Sequence, residues 1–332
     1  MLQPTTINKP RILLVGCGGI GCIAALNLEF GGQAAVTAVL RSSYKIVKQQ
    51  GFTINSVDHG RVSGFRPTEI LASVPDVSQP GISPFDYIIC ATKNTPDVST
   101  PIADLIRSAV TPAHSTILLL QNGLNIEAPL YKAFPDNIIL SGISICGSSE
   151  PEAGVIEHNL HDELRIGPFR DEGAAADRAR DLVARYNAGG RCTCHFDTNV
   201  GLSRWRKLLY NAVYNPVGAL TNLDTGDIQL CPGLVDKVVR PGMKEIQAVA
   251  AAYGQDITDD MIEATITTEP IEAHVPPSML VDVRKGQYIE FENLIGEPLR
   301  AAKVRHIATP ILQNHYSLTK SYQWKIKSKR RE

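Results

Sequence analysis

Short runs of aliphatic and β-branched residues alternate with helical patterns through the first half of the chain. Strands are predicted over residues 11–15, 35–40, 87–91, 116–120 and 138–145, and a helix over residues 21–30. This alternation is typical of βαβ units, in which a helix crosses between parallel strands. The first half therefore predicts an α/β fold with a Rossmann-type, doubly wound and mostly parallel sheet.

Strand signals stop after about residue 198, and helical patterns continue to the end of the chain. The predicted helices span residues 202–219, 233–253, 259–272, 286–304 and 310–328. Long helical patterns without strands between them indicate an all-helical domain. We therefore predict a sheet domain over residues 1–198 and a helical domain over residues 199–332.

The composition is that of a globular protein and disfavours a polyanionic partner. Of the 332 residues, 43% are hydrophobic, and 33 Lys and Arg residues stand against 34 Asp and Glu residues, for a formal net charge of -1. Without a broad positive field, attraction to nucleic acid or anionic membranes is weak. The longest apolar runs are far shorter than the roughly 20 residues that span a bilayer. We predict a small-molecule substrate, no nucleic acid partner and no membrane contact.

The cysteines and the two chain ends add smaller expectations. Seven scattered cysteines, an odd number, suit reduced thiols in the cytoplasm better than a disulfide framework. Residues 1–10 lack the pattern of a signal or transit peptide and are interpreted as a flexible lead. Residues 320–332 carry six basic residues and one acidic residue and are interpreted as a solvated, fraying terminus.

A glycine-rich loop follows the first predicted strand and opens the first predicted helix. It has the pattern G-x-G-x-x-G and consists of Gly16, Cys17, Gly18, Gly19, Ile20 and Gly21. The first glycine permits the tight turn, the second lets the backbone approach a pyrophosphate, and the third lets helix and strand pack closely. The helix N-terminus then offers unpaired N–H groups to the anion. The loop predicts a dinucleotide site.

The residue at the end of the second strand indicates which dinucleotide binds. Sites for NAD place Asp or Glu there, about 20 residues after the loop, to accept hydrogen bonds from the ribose hydroxyls. This chain has Arg41, followed by Ser42 and Ser43. A guanidinium pairs with a 2′-phosphate and cannot accept those hydroxyl protons. NADPH/NADP is therefore the predicted cofactor, and a surface strand cap is the alternative role of Arg41.

Two polar turns follow later strands of the predicted sheet. They are Thr92-Lys93-Asn94 and Gln121-Asn122-Gly123. Ligands of open α/β sheets bind outside the carboxyl ends of the strands, so both turns are expected to face the cofactor. Either turn alone is also explained as an ordinary polar turn.

Three polar residues recur at steps of four in the predicted helix 202–219. They are Lys207, Asn211 and Asn215, and each step of four drifts only about 40° around an α-helix. The three side chains are therefore predicted on one helix face. Pro216 is expected to rearrange the helix and leave a carbonyl oxygen free. Taken alone, the segment favours a solvated polar stripe.

A second polar group surrounds the predicted start of helix 286–304. Ser278 and Asp282 precede the expected helix start near Gly286, and Glu290 lies on its first turn. Taken alone, this is an ordinary helix cap with an acidic first turn that complements the helix dipole.

Two further segments contain residue types that bind metals. Residues 158–163 include two histidines, an aspartate and a glutamate, and residues 192–195 read Cys-Thr-Cys-His. Neither has a second ligand pair at a known zinc spacing. Surface histidines and small thiols are therefore the favoured interpretation, and no metal site is predicted.

The combined pattern resembles the ketopantoate reductase (2-dehydropantoate 2-reductase) family from about residue 11 to about residue 315. The shared features are the glycine loop, Arg41, the two polar turns, R-W-R-K-L-L-Y-N-A-V-Y-N-P and S-M-L-V-D-V-R-K-G-Q-Y-I-E. The K-x3-N-x3-N and S-M-x2-D-x7-E spacings are more specific than the glycine loop. The resemblance implies a Rossmann domain followed by a helical domain of the 6-phosphogluconate-dehydrogenase type. It also implies NADPH-dependent reduction of a 2-oxo acid to a 2-hydroxy acid, most simply ketopantoate to pantoate in pantothenate biosynthesis.

The resemblance further implies a role for each site residue. Lys207 donates the proton to the ketone oxygen, and Glu290 orients that lysine. A cation aimed at this oxygen stabilises the charge that hydride addition builds there. Lys93 and Asn122 lie near the cofactor. The substrate-binding residues are Asn122, Asn211, Asn215 and Ser278. A homodimer through the helical domain is a further expectation.

One departure from the family pattern leaves the substrate open. Ile289 precedes Glu290, where the family often has a small hydroxyl residue. A reductase of the same fold acting on another 2-oxo acid, ketone or imine would have a similar sequence. A non-catalytic NADP(H)-binding sensor would keep the glycines and Arg41 but could lose Lys207 and Glu290, which are both present.

Overall fold

The computed structural model describes residues 9–330, so most of the predicted flexible lead lies outside the described residues. The chain forms two compact units. The sheet unit comprises the chain up to Lys93, Thr100–Gln121 and Glu127–Val200. The helical unit comprises Asn94–Ser99, Asn122–Ile126 and the chain from Gly201 onwards.

The described strands form one ten-stranded sheet. They are β1 (Arg11–Val15), β2 (Ala35–Val39), β3 (Phe52–Ser56), β4 (Gly60–Phe65), β5 (Glu69–Leu71), β6 (Tyr87–Cys90), β7 (Thr116–Leu119), β8 (Ile139–Glu152), β9 (Val155–Pro168) and β10 (Thr193–Phe196). Their order is β4-β3-β9-β8-β7-β6-β1-β2-β5, and β10 also pairs with β9. The six strands from β8 to β5 are parallel, winding outward from β1 on one side and from β6 on the other. The predicted doubly wound fold is confirmed, with its switch point between β1 and β6.

The predicted strands are all confirmed, and the structure adds five more. β8 was expected to end at residue 145 but continues to Glu152 in a long antiparallel hairpin with β9. The distal half of β8 is only partly buried, in alternation along the strand. It therefore lacks the continuous apolar run of a strand that is covered on both faces. The additional strands β3, β4 and β5 are also partly exposed.

Helices cover the parallel part of the sheet. They are α1 (Gly19–Phe30), α2 (Tyr44–Gln50), α3 (Ile102–Ile106), α4 (Ala128–Ala133) and α5 (Ala175–Asn187), with a 3-10 turn at Arg107–Ala109. Strands β6 and β7 are buried along their whole length, as parallel strands between two helical layers are. Leu13, Ile88 and Leu118 of the central strands have no exposed surface.

The second unit is built from helices around its own apolar core. They are α6 (Val200–Leu209), α7 (Asn215–Thr221), α8 (Thr225–Leu230), α9 (Arg240–Ala252), α10 (Asp259–Ile266), α11 (Ser278–Arg284), α12 (Glu297–Val304) and α13 (Pro310–Lys329), with a 3-10 turn at Ile271–Ala273. Leu209, Met243 and Leu312 are buried in this core. No helix in the described part of the chain is long and apolar enough to cross a bilayer.

Three π-helical segments interrupt the predicted helices, each before an internal proline. Tyr210–Tyr214, Val235–Val239 and Glu292–Gly296 end two residues before Pro216, Pro241 and Pro298, respectively. A proline cannot donate to the carbonyl four residues earlier, so the preceding turn widens to i→i+5 bonding. The expected rearrangement at Pro216 is confirmed. The carbonyl of Ala212, four residues before it, accepts instead from His315 Nδ1 at 3.4 Å.

The predicted helix start near Gly286 is wrong. Gly286 has φ 61° and closes α11, with Gln287 N donating back to Asp282 O at 2.8 Å. A glycine with positive φ is a common helix C-terminus because it has no Cβ to clash. Helical structure resumes only at Glu292, so Glu290 lies in a non-helical link and not on a first helical turn.

The interpretation of residues 320–332 as a solvated terminus is wrong for the described part. Helix α13 continues to Lys329, and its Gln323 and Ile326 are buried. Lys327 Nζ pairs with Asp97 Oδ2 at 2.7 Å, and the Arg330 guanidinium lies over the ring of Tyr288 at 4.2 Å. The basic residues therefore flank a buried stripe, and the charge count did not show that stripe.

Candidate functional site

The glycine loop forms the turn between β1 and α1, and backbone atoms of the protein itself leave no room for a Cβ at three of its glycines. Gly16 has φ 94°, and a Cβ there would lie 2.6 Å from Thr92 N. A Cβ on Gly21 would overlap the carbonyl oxygen of Gly16. Gly19 is similarly confined, since its Cβ would lie 2.6 Å from Ser148 O in β8. These backbone neighbours cannot rotate away as a side chain would.

Gly18 has a different reason to be glycine. Its backbone is extended (φ -80°, ψ -158°), and the nearest atom to a Cβ there is Glu150 Oε2 at 3.9 Å. The protein leaves room for a side chain at this position. The room lies at the N-cap of α1, where the first N–H groups lack intrahelical partners. Open space beside a helix N-terminus fits the close approach of a pyrophosphate.

The two non-glycine residues of the loop pack against the core of the sheet unit. Cys17 is buried and Ile20 is half-buried. Both pack with the apolar core of the sheet unit. Burial raises the pKa of the neighbouring Cys22 thiol well above its usual value. Cys17 is therefore a small core residue within the loop, at 5% exposure.

Arg41 stands just beyond the end of β2. Its side chain is exposed and makes no hydrogen bond or ion pair with another described residue. Backbone pairing of Leu40 N with Leu71 O, at 2.9 Å, holds the chain directly before it. Ser42 is exposed as well, whereas Ser43 is buried before α2. The guanidinium is therefore available to an anionic group.

The strands on both sides of the switch point end together. Gln121 Nε2 donates to Thr92 O at 2.9 Å and to Thr92 Oγ1 at 3.1 Å, and Thr92 N packs against Gly16. The turns after β6 and β7 thus meet the glycine turn through Thr92 and Gln121, as the sheet topology predicted. Lys93 is exposed beside them.

The asparagines of the helical unit form a buried network. Asn215 Oδ1 accepts from Ser278 Oγ and from Met279 N, each at 3.1 Å. Asn215 Nδ2 donates to Asn211 Oδ1 at 3.1 Å. Asn211 and Asn215 are 5% and 1% exposed, so the interpretation of this segment as a solvated stripe is wrong. Amides this deep require partners, and residues 63 positions away supply them.

Lys207 and Glu290 belong to the same unit as this network. Lys207 is half-buried in the last turn of α6, just before the π-helical segment. Glu290 is half-buried between buried Ile289 and Phe291, and its Oε1 accepts from Asn94 N at 2.7 Å. The structure therefore holds the Glu290 carboxylate from the turn that follows β6.

Sequence reasoning missed the residues that hold the Asn122 turn. Arg204, buried in α6, donates from Nη1 to Gly123 O at 3.1 Å. Asn293 contacts Leu124 of the same turn through two hydrogen bonds. A charged residue in the buried phase of α6 was the available signal for Arg204. Asn293 gave no such signal, since a polar residue near a helix start is ordinary.

The histidines of the segment 158–163 take part in a hydrogen-bonded cluster of the sheet unit. His158 is buried and shares a hydrogen bond with Ser56 Oγ at 2.8 Å, so the interpretation of His158 as a surface histidine is wrong. His161 contacts Asp58 at 2.7 Å. Burial raises the pKa of Asp162, whose carboxylate accepts from Tyr186 OH at 2.7 Å. These contacts link β9 to the turn between β3 and β4.

One group of three residues in the described chain has the geometry of metal ligands. It consists of Asp224, Asp227 and His274. Asp224 already caps α8 by accepting from Asp227 N at 2.9 Å, and His274 Nδ1 lies 3.1 Å from the same carboxylate. An N-cap with an adjacent histidine accounts for this arrangement.

Comparison with known proteins decides the family. The protein-family model described as Ketopantoate reductase PanE/ApbA matches residues 12–171. A second family model, described as Ketopantoate reductase PanE/ApbA C terminal, matches residues 199–323. The chain belongs to the ketopantoate reductase family. It is 38% identical to the uncharacterized protein YDL144C of Saccharomyces cerevisiae, over 96% of this chain and 95% of that protein.

Solved structures of the same fold cover nearly the whole chain. The 2-dehydropantoate 2-reductase of Methylococcus capsulatus is 31% identical, with a TM-score of 0.80 over 95% of this chain and 97% of that one. A D-mandelate dehydrogenase, solved with NADH and anilino(oxo)acetate, has a TM-score of 0.82 at 20% identity, over 96% of this chain and 99% of that one. At that identity the likeness shows the fold alone. The chain is therefore an oxidoreductase of the ketopantoate reductase family.

Proposed function

We propose that this protein reduces a 2-oxo acid to a 2-hydroxy acid with NADPH, and that 2-dehydropantoate is its substrate. The observation that carries the proposal is a hydrogen-bonded network that joins the buried amides of Asn211 and Asn215 to the exposed hydroxyl of Ser278. It lies in the unit that also contains Lys207 and Glu290. Amides and a hydroxyl are suited to hydrogen-bond the carbonyl, hydroxyl and carboxylate groups of a hydroxylated 2-oxo acid.

The proposed reaction combines hydride transfer from the cofactor with proton transfer from Lys207. NADPH, when bound, supplies the hydride that adds to the carbonyl carbon of the substrate. The Lys207 ammonium donates its proton to the carbonyl oxygen, so the alcohol forms and a neutral amine remains. Glu290 orients Lys207, and Asn122 and Ser278 hold the substrate carboxylate. A cation aimed at the developing alkoxide stabilises the transition state more than the ground state.

The preference for NADPH over NADH rests on the sheet unit. The residues that fit the cofactor are the open position at Gly18, the N-terminus of α1 and the exposed Arg41. A guanidinium without a protein partner among the described residues is suited to bind a 2′-phosphate. Lys93, which follows β6, is proposed to lie near the cofactor as well.

A panel of carbonyl substrates tests the proposal. The decrease in NADPH absorbance is followed with 2-dehydropantoate and with other 2-oxo acids, including an aromatic one. We expect turnover of 2-dehydropantoate that falls at least about 100-fold in Lys207→Ala, since general acid catalysis contributes that much. Lys303→Ala is the matched control, because Lys303 is exposed at the end of α12. NADPH binding, measured by fluorescence, should be unchanged in both variants.

Each other result contradicts a specific part of the proposal. If only a different carbonyl compound is turned over, that compound replaces 2-dehydropantoate as the substrate. Ile289, which stands where the family often has a small hydroxyl residue, makes this a concrete alternative. Tight NADPH binding without turnover of any compound would show a sensor instead of an enzyme. The predicted homodimer is a separate proposal, tested by sedimentation of the purified protein.

A further inference from the structure

Asn293 connects two turns of the helical unit to the Glu290 segment. It lies three residues after Glu290, within the π-helical segment Glu292–Gly296. Its Oδ1 accepts from Asn94 Nδ2 at 3.1 Å, and its Nδ2 donates to Leu124 O at 3.1 Å. An amide is the side chain that accepts on one side and donates on the other.

The contact with the first turn includes Glu290 itself. Asn94 N donates to Glu290 Oε1 at 2.7 Å, while the Asn94 side chain donates to Asn293 Oδ1. The two bonds close a ring through Glu290, Asn94 and Asn293. A carboxylate held in such a ring has less freedom to rotate than one held by a single bond.

Asn293 packs so closely against the turn after β7 that this turn requires a glycine at position 123. Gly123 has φ 111°, and a Cβ there would lie 2.6 Å from the Asn293 Cβ. Leu124 N donates to Asn293 O at 2.9 Å, and Arg204 holds the Gly123 carbonyl. The backbone directly after Asn122 is therefore held against Asn293.

We propose that Asn293 is a positioning residue that keeps Glu290 and Asn122 in the geometry that reduction of the substrate requires. The inference rests on the proposed function. It concerns how the two groups are held, since Asn293 is assigned no contact with substrate or cofactor. Catalytic groups must be held within a fraction of an ångström, and a misplacement of about 1 Å costs up to about 100-fold in rate.

Substitutions at Asn293 separate its two side-chain contacts. Asn293→Ala removes both, and Asn293→Asp keeps the acceptor for Asn94 but loses the donor to Leu124 O. We expect Asn293→Ala to lower kcat/KM about 30-fold, through both kcat and KM, and Asn293→Asp to raise mainly the KM of the 2-oxo acid, about 10-fold. The Kd of NADPH should rise less than the KM of the 2-oxo acid in both, because the glycine turn and Arg41 are far from Asn293 in the chain and are left intact.

The matched control is a second asparagine of the same turn. Asn125 Nδ2 donates to Glu297 Oε2 at 2.6 Å, on the exposed side, and its φ is 55°. Asn125→Gly removes this bond while tolerating the positive φ. We expect kcat and KM within about 2-fold of wild type. Thermal unfolding of every variant shows whether lost activity merely follows lost folding.

Hydrogen exchange provides a readout that does not require turnover. Peptides covering residues 94–99 and 122–126 should exchange faster in Asn293→Ala than in wild type. In Asn125→Gly, the peptide covering residues 94–99 should exchange at the wild-type rate. If the wild-type protein shows no turnover but Asn293→Ala shows this exchange response, the proposed function is rejected and the positioning role is kept. Normal exchange and unchanged KM in the Asn293 variants of an active enzyme would overturn the inference, as would activity loss that parallels unfolding.

Discussion

The glycine turn of the sheet unit and the polar network of the helical unit are built in opposite ways. The turn is made of consecutive backbone groups, and Gly16 and Gly21 are confined by backbone atoms. The network includes side chains that are far apart in sequence, since Asn215 and Ser278 are 63 positions apart. A local backbone device is therefore visible in a short motif, whereas a side-chain network depends on how distant helices pack.

The largest expected effect tests the turn as a structural element. In Gly21→Ala the new Cβ would overlap the carbonyl oxygen of Gly16, and this backbone atom cannot move without displacing β1 or α1. We expect the free energy of unfolding of the sheet unit to fall by about 3 kcal/mol, together with loss of NADPH binding. Urea unfolding measures the first quantity. Wild-type stability would mean that the turn is looser than its geometry indicates.

The next effect tests the network. Asn215→Ala leaves the buried Met279 N without its acceptor, which should lower the free energy of unfolding by about 2 kcal/mol, and removes the acceptor of the exposed Ser278 Oγ. Asn215→Asp keeps that acceptor but loses the donor to Asn211 and buries a charge, so a comparison of the two identifies which bond matters. Kinetics with the 2-oxo acid should show a raised KM in both. An unchanged KM in the folded variants would remove Asn215 from the substrate site.

A smaller effect distinguishes cofactor binding from stability within the glycine turn. Gly18→Ala has room for its Cβ and an ordinary extended backbone, so we expect stability within about 0.5 kcal/mol of wild type. NADPH should nevertheless bind about 10-fold more weakly, because the methyl group occupies the space of the pyrophosphate. Fluorescence titration measures this. Equal affinity would place the pyrophosphate elsewhere.

The smallest effect concerns the choice of nucleotide. Arg41→Ala should lower the preference for NADPH over NADH about 5-fold, because an exposed ion pair contributes about 1 kcal/mol or less. Stability should not change, since the exposed Arg41 side chain makes no hydrogen bond or ion pair with another described residue. Arg61→Ala, on exposed β4, is the control. A preference that stays the same in Arg41→Ala would assign the 2′-phosphate to another residue.

Much of the fold followed from the hydrophobic pattern, and the errors share a physical cause. The buried parallel strands were found because helices cover both faces and the strands are apolar throughout. The distal part of β8 was missed because only one of its faces is covered. Glu290 was placed on a first helical turn because a helix was predicted to begin near Gly286, whose positive φ instead ends α11. Whether a glycine ends a helix depends on the packing of the segment that follows.

The amino-acid order was enough to identify the strand-turn-helix unit, the arginine after β2 and the helix rearrangement at Pro216, because each of these acts on its immediate neighbours. It could not show that Asn211 and Asn215 are buried, that Asn94 holds Glu290, or that Asn293 contacts the turn after β7. Those properties arise from contacts between residues dozens to hundreds of positions apart. Only packing of the folded chain determines which polar side chains lose water and which partners replace it.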